Sequence, residues 1–261
     1  TLYANWIEQI DDATDKSYFE YEQINDLGWL EIRAKDIANM PKDIVIPRFI
    51  DDKPIVEIAP LGFAHCANIE TLTIPHTIWQ IGTSAFSGRK SAPLNIIDMS
   101  LTTITFEQTK ELVQIQNYAF SYNKNLISVN IPDSVVTLGK SLFEGCERLI
   151  DVTFGEDSNL SVILEDAFMG CSSLENIVLP KNLSKIEAQG FFDCTSLKSV
   201  TLKSKTVIEL RGETNKEYVF GYSDDGIVKR LQITIYVPEE SINLYESFDY
   251  YAVYEIEAID P

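Results

Sequence analysis

The sequence predicts an α/β fold with few helices: a solenoid of about 23-residue units whose strands stack into a parallel β ladder, capped at both ends. Three observations carry this expectation. An apolar register recurs through the middle of the chain. Each copy closes on a short apolar alternation followed by a residue that stops a strand. All four cysteines occupy one position of the register.

The register is plainest from Ile163, taken as position p. It places Phe168 at p+5, Cys171 at p+8, Leu174 at p+11, Ile177 at p+14, Leu179 at p+16 and Pro180 at p+17. From Ile58 the same steps reach Phe63, Cys66, Ile69, Leu72, Ile74 and Pro75; from Ile115 they reach Phe120, Asn123, Leu126, Val129, Ile131 and Pro132. Copies from Leu138 and Ile186 close on Gly155 and Lys203. A sixth copy opens with Ile81 and Phe86, then slips by two residues to Leu94, Ile97 and Met99. In that reading residues 100–110 (SLTTITFEQTK) are an insertion and a candidate surface feature.

Each copy ends in a two-residue alternation such as Val129-Asn130-Ile131, the period of a strand, and a following proline cannot donate to a ladder. A unit this short cannot bury its own apolar side, so stacked copies bury one another at about 4.8 Å per strand. Partial units DIVIP (43–47) and TIYVP (234–238) flank the array and bring the strand-like ends to eight. Between the last copies, VIELRGETNKEYVFGYSDDG reads as a degenerate unit with a long loop.

Residues 21–43 alternate as a hairpin around Asp26-Leu27-Gly28 and are expected to form an N-terminal cap, with the repeats over 44–237. Residues 238–261 are expected to cap the other end. Pro238 suits a helix start, Glu239 and Glu240 suit a first turn, and a short helix over about 239–246 follows. Tyr245, Phe248, Tyr250, Tyr251 and Tyr254 then close the last coil.

Cys66, Cys146, Cys171 and Cys194 all fall at p+8. Their placement follows register, which predicts small buried fillers behind each phenylalanine. A disulfide between neighbouring coils is the alternative, since stacked positions lie within bridging distance. Zinc is disfavoured, because no CxxC pair exists and His65 and His76 lack ligand spacing.

The pattern I-x-x-x-A-F-x-x-C-x-x-L-x-x-V-x-I-P, as in IAPLGFAHCANIETLTIP, IQNYAFSYNKNLISVNIP and ILEDAFMGCSSLENIVLP, resembles the BspA-like leucine-rich repeat. The resemblance covers about residues 44–237 and implies a right-handed leucine-rich-repeat solenoid of the kind found mostly on surfaces of bacteria and some protozoa. The opening TLYANW resembles the closing strand of an internalin-type B-repeat. Residues 1–20 are then expected to be the end of a preceding module and a polar linker, with the chain the distal part of a longer bacterial surface protein.

Composition narrows the function. The 261 residues carry a formal charge of −19, which argues against nucleic acid and against an anionic membrane surface. No apolar run approaches the roughly 20 residues of a membrane span, so no membrane insertion by this segment is expected. Two histidines, both in the early repeats, and the absence of nucleophile-elbow, P-loop or dinucleotide motifs disfavour an enzyme. The acidic turns GEDSN (155–159) and YSDDG (222–226) offer oxygen ligands but not EF-hand spacing, so no metal or cofactor is expected.

A binding surface can still be located. Side chains at p+13 and p+15 face away from the core, giving Thr71 and Thr73, Ser128 and Asn130, Asp151 and Thr153, Asn176 and Val178, and Ser199 and Thr201. Trp79, Tyr118 and Tyr122 lie outside the core register and are candidate anchors. The expectation is a monomeric, non-enzymatic, adhesin-like module binding an extracellular protein or glycan. A structural spacer and a carbohydrate-capture module are the alternatives.

Overall fold

The computed structural model describes residues 13–88, 97–107, 111–212 and 218–259; TLYANW and its B-repeat resemblance lie outside these residues. The coils carry three stacked ladders, where the alternation had pointed to one.

The first ladder is the expected one. Asp43–Val45, Thr71–Ile74, Thr103–Phe106, Ser128–Ile131 and Asp151–Phe154 form a five-stranded parallel sheet; Asn176–Leu179, Ser199–Leu202, Thr234–Val237 and Glu255–Ala258 form a four-stranded one. Their inward residues, such as Leu72, Val129, Ile177 and Val200, are buried. The ninth strand, Glu255–Ala258, comes from the C-terminal cap and adds a rung beyond the eight strand-like ends of the sequence.

The second ladder is made by position p itself. Gln80–Ile81, Gln114–Ile115, Thr137–Leu138, Val162–Ile163, Lys185–Ile186 and Glu209–Leu210 pair in parallel, starting on Lys53–Ile58 and on the hairpin Phe19–Gln23 with Leu30–Ala34. Two residues are too short for the two-residue period to register in sequence.

The third ladder is built from turns. Backbone N–H groups at p+3, p+5 and p+7 donate to the next coil: Tyr118 to the Lys140 carbonyl at 2.8 Å, Phe120 to Leu142 at 3.1 Å and Tyr122 to Glu144 at 2.6 Å. Aiming these groups along the solenoid axis requires left-handed residues. Leu61, Ser84, Tyr118, Ser141, Asp166 and Gln189 at p+3, with His65, Tyr122 and Asp193 at p+7, have φ between 52° and 66°. Glycine fills p+7 at Gly145 and Gly170, where no Cβ opposes that conformation.

The phenylalanines at p+5 stack through the centre. Phe63, Phe86, Phe120, Phe143, Phe168 and Phe191 at that offset, followed by Phe220 of the degenerate unit, lie with neighbouring centroids 5.0–5.8 Å apart and planes within 23° of parallel. Edge-on rings of Phe19 and Tyr254 close the column at its two ends. The p+8 residues have a task beyond filling space. The thiols of Cys146, Cys171 and Cys194 donate to the carbonyls of Phe120, Phe143 and Phe168 in the preceding coil, at 3.4, 3.3 and 3.1 Å. Asn123 replaces cysteine in the same role, its amide donating to Phe86 at 2.9 Å. All four cysteines are free and buried, so the inter-coil disulfide is not formed.

One expectation is corrected. Thr103–Phe106 is the face strand of the copy that starts at Ile81, paired to Thr71–Ile74 on one side and to Ser128–Ile131 on the other. Residues 100–110 therefore contain a core rung, with Leu101 and Ile104 buried, and the extra length lies mainly before them. Leu94, Ile97 and Met99 imitate the register closely enough to mislead. The degenerate unit keeps a rung of the second ladder, Glu209–Leu210, and its end, Gly221–Asp224, pairs antiparallel with Ile227–Arg230. At the C-terminus, a 3-10 turn Glu239–Ser241 runs into the α-helix Ile242–Glu246. Buried Tyr245 and Tyr251 there donate to the carbonyls of Thr206 and Ile208 at 2.9 and 3.0 Å, covering groups the last coil leaves open.

Candidate ligand-binding surface

The outward positions of the face strands form one strip. Register sets Ser128 beside Asp151, Asn130 beside Thr153, Asn176 beside Ser199 and Val178 beside Thr201. Thr71 and Thr73 stand beside Thr103 and Thr105, which the misplaced insertion had hidden. Neighbours on the strip bond one another: Thr71 to Asp43 at 2.6 Å, Thr153 to Asn130 at 3.1 Å and Ser199 to Asn176 at 2.7 Å.

Among the described strands the strip is interrupted once. Asp151–Phe154 ends the five-stranded sheet and Asn176–Leu179 begins the four-stranded one, with no ladder between them. Two sequence features coincide at the break. Pro180 follows the second strand and has no N–H for the Phe154 carbonyl, but Pro75, Pro132 and Pro238 stand in the same place after strands that do pair, so the proline does not open the ladder by itself. The unit from Leu138 to Ile163 is also two residues longer than its 23-residue neighbours, the excess falling after Phe154. The result is a cleft of about 410 Å³ lined by Asp151, Thr153, Gly155, Asn176, Val178 and Lys181, among others. Four of the outward positions read from the sequence, Asp151, Thr153, Asn176 and Val178, meet in it.

A model of the BspA type leucine rich repeat region matches the chain in six copies, over residues 56–110 and 96–217. The chain belongs to this family. No curated protein matches it. Among solved structures, the pneumococcal vaccine antigen PcpA is 18% identical with a TM-score of 0.59, the match covering 87% of this chain and 64% of that one. The chain thus spans less than two thirds of that structure's length. A leucine-rich-repeat protein of T. pallidum is 22% identical with a TM-score of 0.50, over 71% of this chain and 90% of that one. At these identities the likeness is one of fold.

The remaining candidates sit elsewhere on the BspA-type coil. Trp79 is 36% exposed beside the short second ladder, with its ring edge-on to Trp29 at 5.1 Å and its Nε1 donating to Glu57 at 3.0 Å. Burial there raises the Glu57 carboxyl above its ordinary range. Tyr118 and Tyr122 are half-buried on the turn ladder, at its left-handed positions, and the Tyr122 hydroxyl donates to Glu144. The aromatic anchors and the strand strip therefore do not form one patch.

The charged clusters are structural in their geometry. Arg48, His76 and Glu107 tie three successive coils: Arg48 Nη2 lies 2.9 Å and His76 Nδ1 3.0 Å from the Glu107 carboxylate. Burial works to raise Glu107, but the bonds from Arg48 and His76 outweigh it and hold the carboxyl low. Burial lifts the thiols of Cys66 and Cys146 to about 12 and that of Cys171 far above the ordinary range, which leaves no thiolate at neutral pH. Among the described residues no three His, Cys, Asp or Glu side chains are grouped as a metal ion requires.

Proposed function

We propose that the chain is a non-enzymatic, extracellular ligand-binding module of a bacterial surface protein, capturing a protein or glycan on its strand face. The observation that carries this is the strip itself. Rigid parallel strands present small polar side chains over many coils, the arrangement repeat proteins use for extended recognition. The pneumococcal structure of similar fold is that of a vaccine antigen, which agrees with a module exposed to a host. Affinity would come from surface complementarity, with no bond chemistry.

The test is an array of host matrix proteins and glycans, probed with the parent chain and with a Thr73→Arg/Thr105→Arg/Asn130→Arg variant that blocks the strip. A saturable ligand lost in the variant, with thermal stability retained, is the expected outcome. Undiminished binding by the variant moves the site off the strand face. The spacer reading is favoured by one observation, that strip side chains already bond one another across coils. It predicts silence across the whole array.

A further inference from the structure

We infer that the cleft between Asp151–Phe154 and Asn176–Leu179 is a subsite for an anionic saccharide, one bearing carboxylate or sulfate groups. This rests on the reading of the strand face as a ligand surface and adds the class of ligand and its place. The cleft is the one interruption of the face ladder among the described strands, and it adjoins a second hollow of about 530 Å³. The two share Lys181 and Lys203, and the second adds Lys205, so three lysines line the adjoining hollows against two carboxylates, Asp151 and Glu156, in a chain of net charge −19.

These lysines are held by partners that water already reaches. Lys203 contacts Glu156 at 2.8 Å, Lys181 lies 3.8 Å from Asp157, and Lys205 contacts Glu240 at 2.8 Å. Glu156 and Asp157 are 84% and 93% exposed at the side chain, so neither ion pair is worth much and each lysine can turn to a bound anion. The other wall carries Asp151, Thr153 and Asn176, whose acceptors and donors suit hydroxyl groups. One ring edge of a uronate or sulfated sugar then lies on Asn176 and Thr153, and its acid group lies between Lys181 and Lys203.

A peptide strand fits less well. Cα atoms of the two strands still lie within 8 Å of one another, whereas a third strand inserted between them needs about 9.6 Å, two strand spacings. The general negative charge of the chain repels polyanions elsewhere, which confines capture to this depression.

The test measures equilibrium binding of the full 261-residue chain to four probes: a heparin-derived octasaccharide, a polygalacturonate octasaccharide, a dextran octasaccharide and a polyglutamate peptide. Two cleft variants are compared with the parent, Lys181→Glu/Lys203→Glu and Thr153→Trp, the second filling the cleft without changing charge. Lys42→Glu/Lys229→Glu makes the same change of charge far from the cleft, and melting curves confirm that each variant folds. The expected result is saturable binding of at least one anionic octasaccharide, absent for dextran. It should weaken by about tenfold or more in both cleft variants, a change of about 1.4 kcal/mol, and hold in the remote control. Equal loss in the remote control, or binding indifferent to the cleft variants, overturns the inference. So does cleft-dependent binding of polyglutamate alone, which would make this an acidic-polypeptide site. If neither anionic saccharide binds while another ligand still binds the strand face, the inference fails and the module reading stands. If nothing binds on either assay, both fail.

Discussion

Cys171 shows how much a single position does. Its side chain is fully enclosed behind the phenylalanine column, and its thiol covers the Phe143 carbonyl of the coil before. The same burial that makes it a good filler removes its reactivity. At pH 8 an aromatic disulfide reagent is expected to label no thiol of the native chain within minutes and all four after unfolding. Rapid native labelling of any of them would contradict the packing described. Asp166 works the other way. It sits at a left-handed turn position, half-buried, with Glu165 beside it and Lys140 at 3.7 Å. Burial and the Glu165 charge raise its carboxyl from 3.8 to about 6, so the folded chain binds this proton more tightly than the unfolded chain. Between those values stability therefore falls as pH rises, and above pH 6 the ionised carboxylate is a standing cost. Asparagine tolerates the left-handed backbone and carries no charge. Asp166→Asn is expected to stabilise the chain by about 1 kcal/mol at pH 8, after discounting for solvent screening, and by nothing near pH 3.5. Urea unfolding at the two pH values checks this, and an equal effect at both would exclude ionisation as the cause.

At the scale of the element, the coil is held by a ring column inside and three ladders around it. Phe143 has stacked partners on both faces, Phe120 at 5.8 Å and Phe168 at 5.5 Å, and no exposed surface. Phe143→Ala is expected to destabilise by about 3–5 kcal/mol, since neighbours locked by their own ladders cannot collapse into the hole. Phe19 closes the column from one side only, so Phe19→Ala should cost less; denaturant midpoints for the pair decide the order. The phenylalanine column was legible because one aromatic recurred at a constant offset. The two-residue ladder was not, because it contributes a single inward residue per coil. The turn ladder was not, because its left-handed positions hold leucine, serine, tyrosine, aspartate and glutamine, which share no side-chain property. Tyr118 and Tyr122 lie outside the core register because they occupy left-handed positions of that turn ladder, where both stay half-buried.

For the whole molecule, stacking couples every coil to its neighbours, and a removed rung is felt on both sides. Deleting residues 100–110 takes away Leu101, Ile104 and the strand joining Thr71–Ile74 to Ser128–Ile131. Loss of cooperative unfolding, followed by circular dichroism, is expected; a deletion that leaves the melting temperature unchanged would restore the view of this segment as a surface loop. The sequence by itself determined that copies stack, which residues face inward, which strand positions face out, and that the cysteines belong to the pattern. All of these follow from period and side-chain type, which are local quantities. Only the tertiary structure decided that Thr103–Phe106 is the face strand of the Ile81 copy, that the face ladder parts between Asp151–Phe154 and Asn176–Leu179, and that Asp151, Thr153 and Asn176 share a cleft with Lys181 and Lys203. The reason is physical. Whether two adjacent strands pair depends on a donor in one coil reaching an acceptor in another, and on the length of the turn between them, and neither is a property of any single repeat.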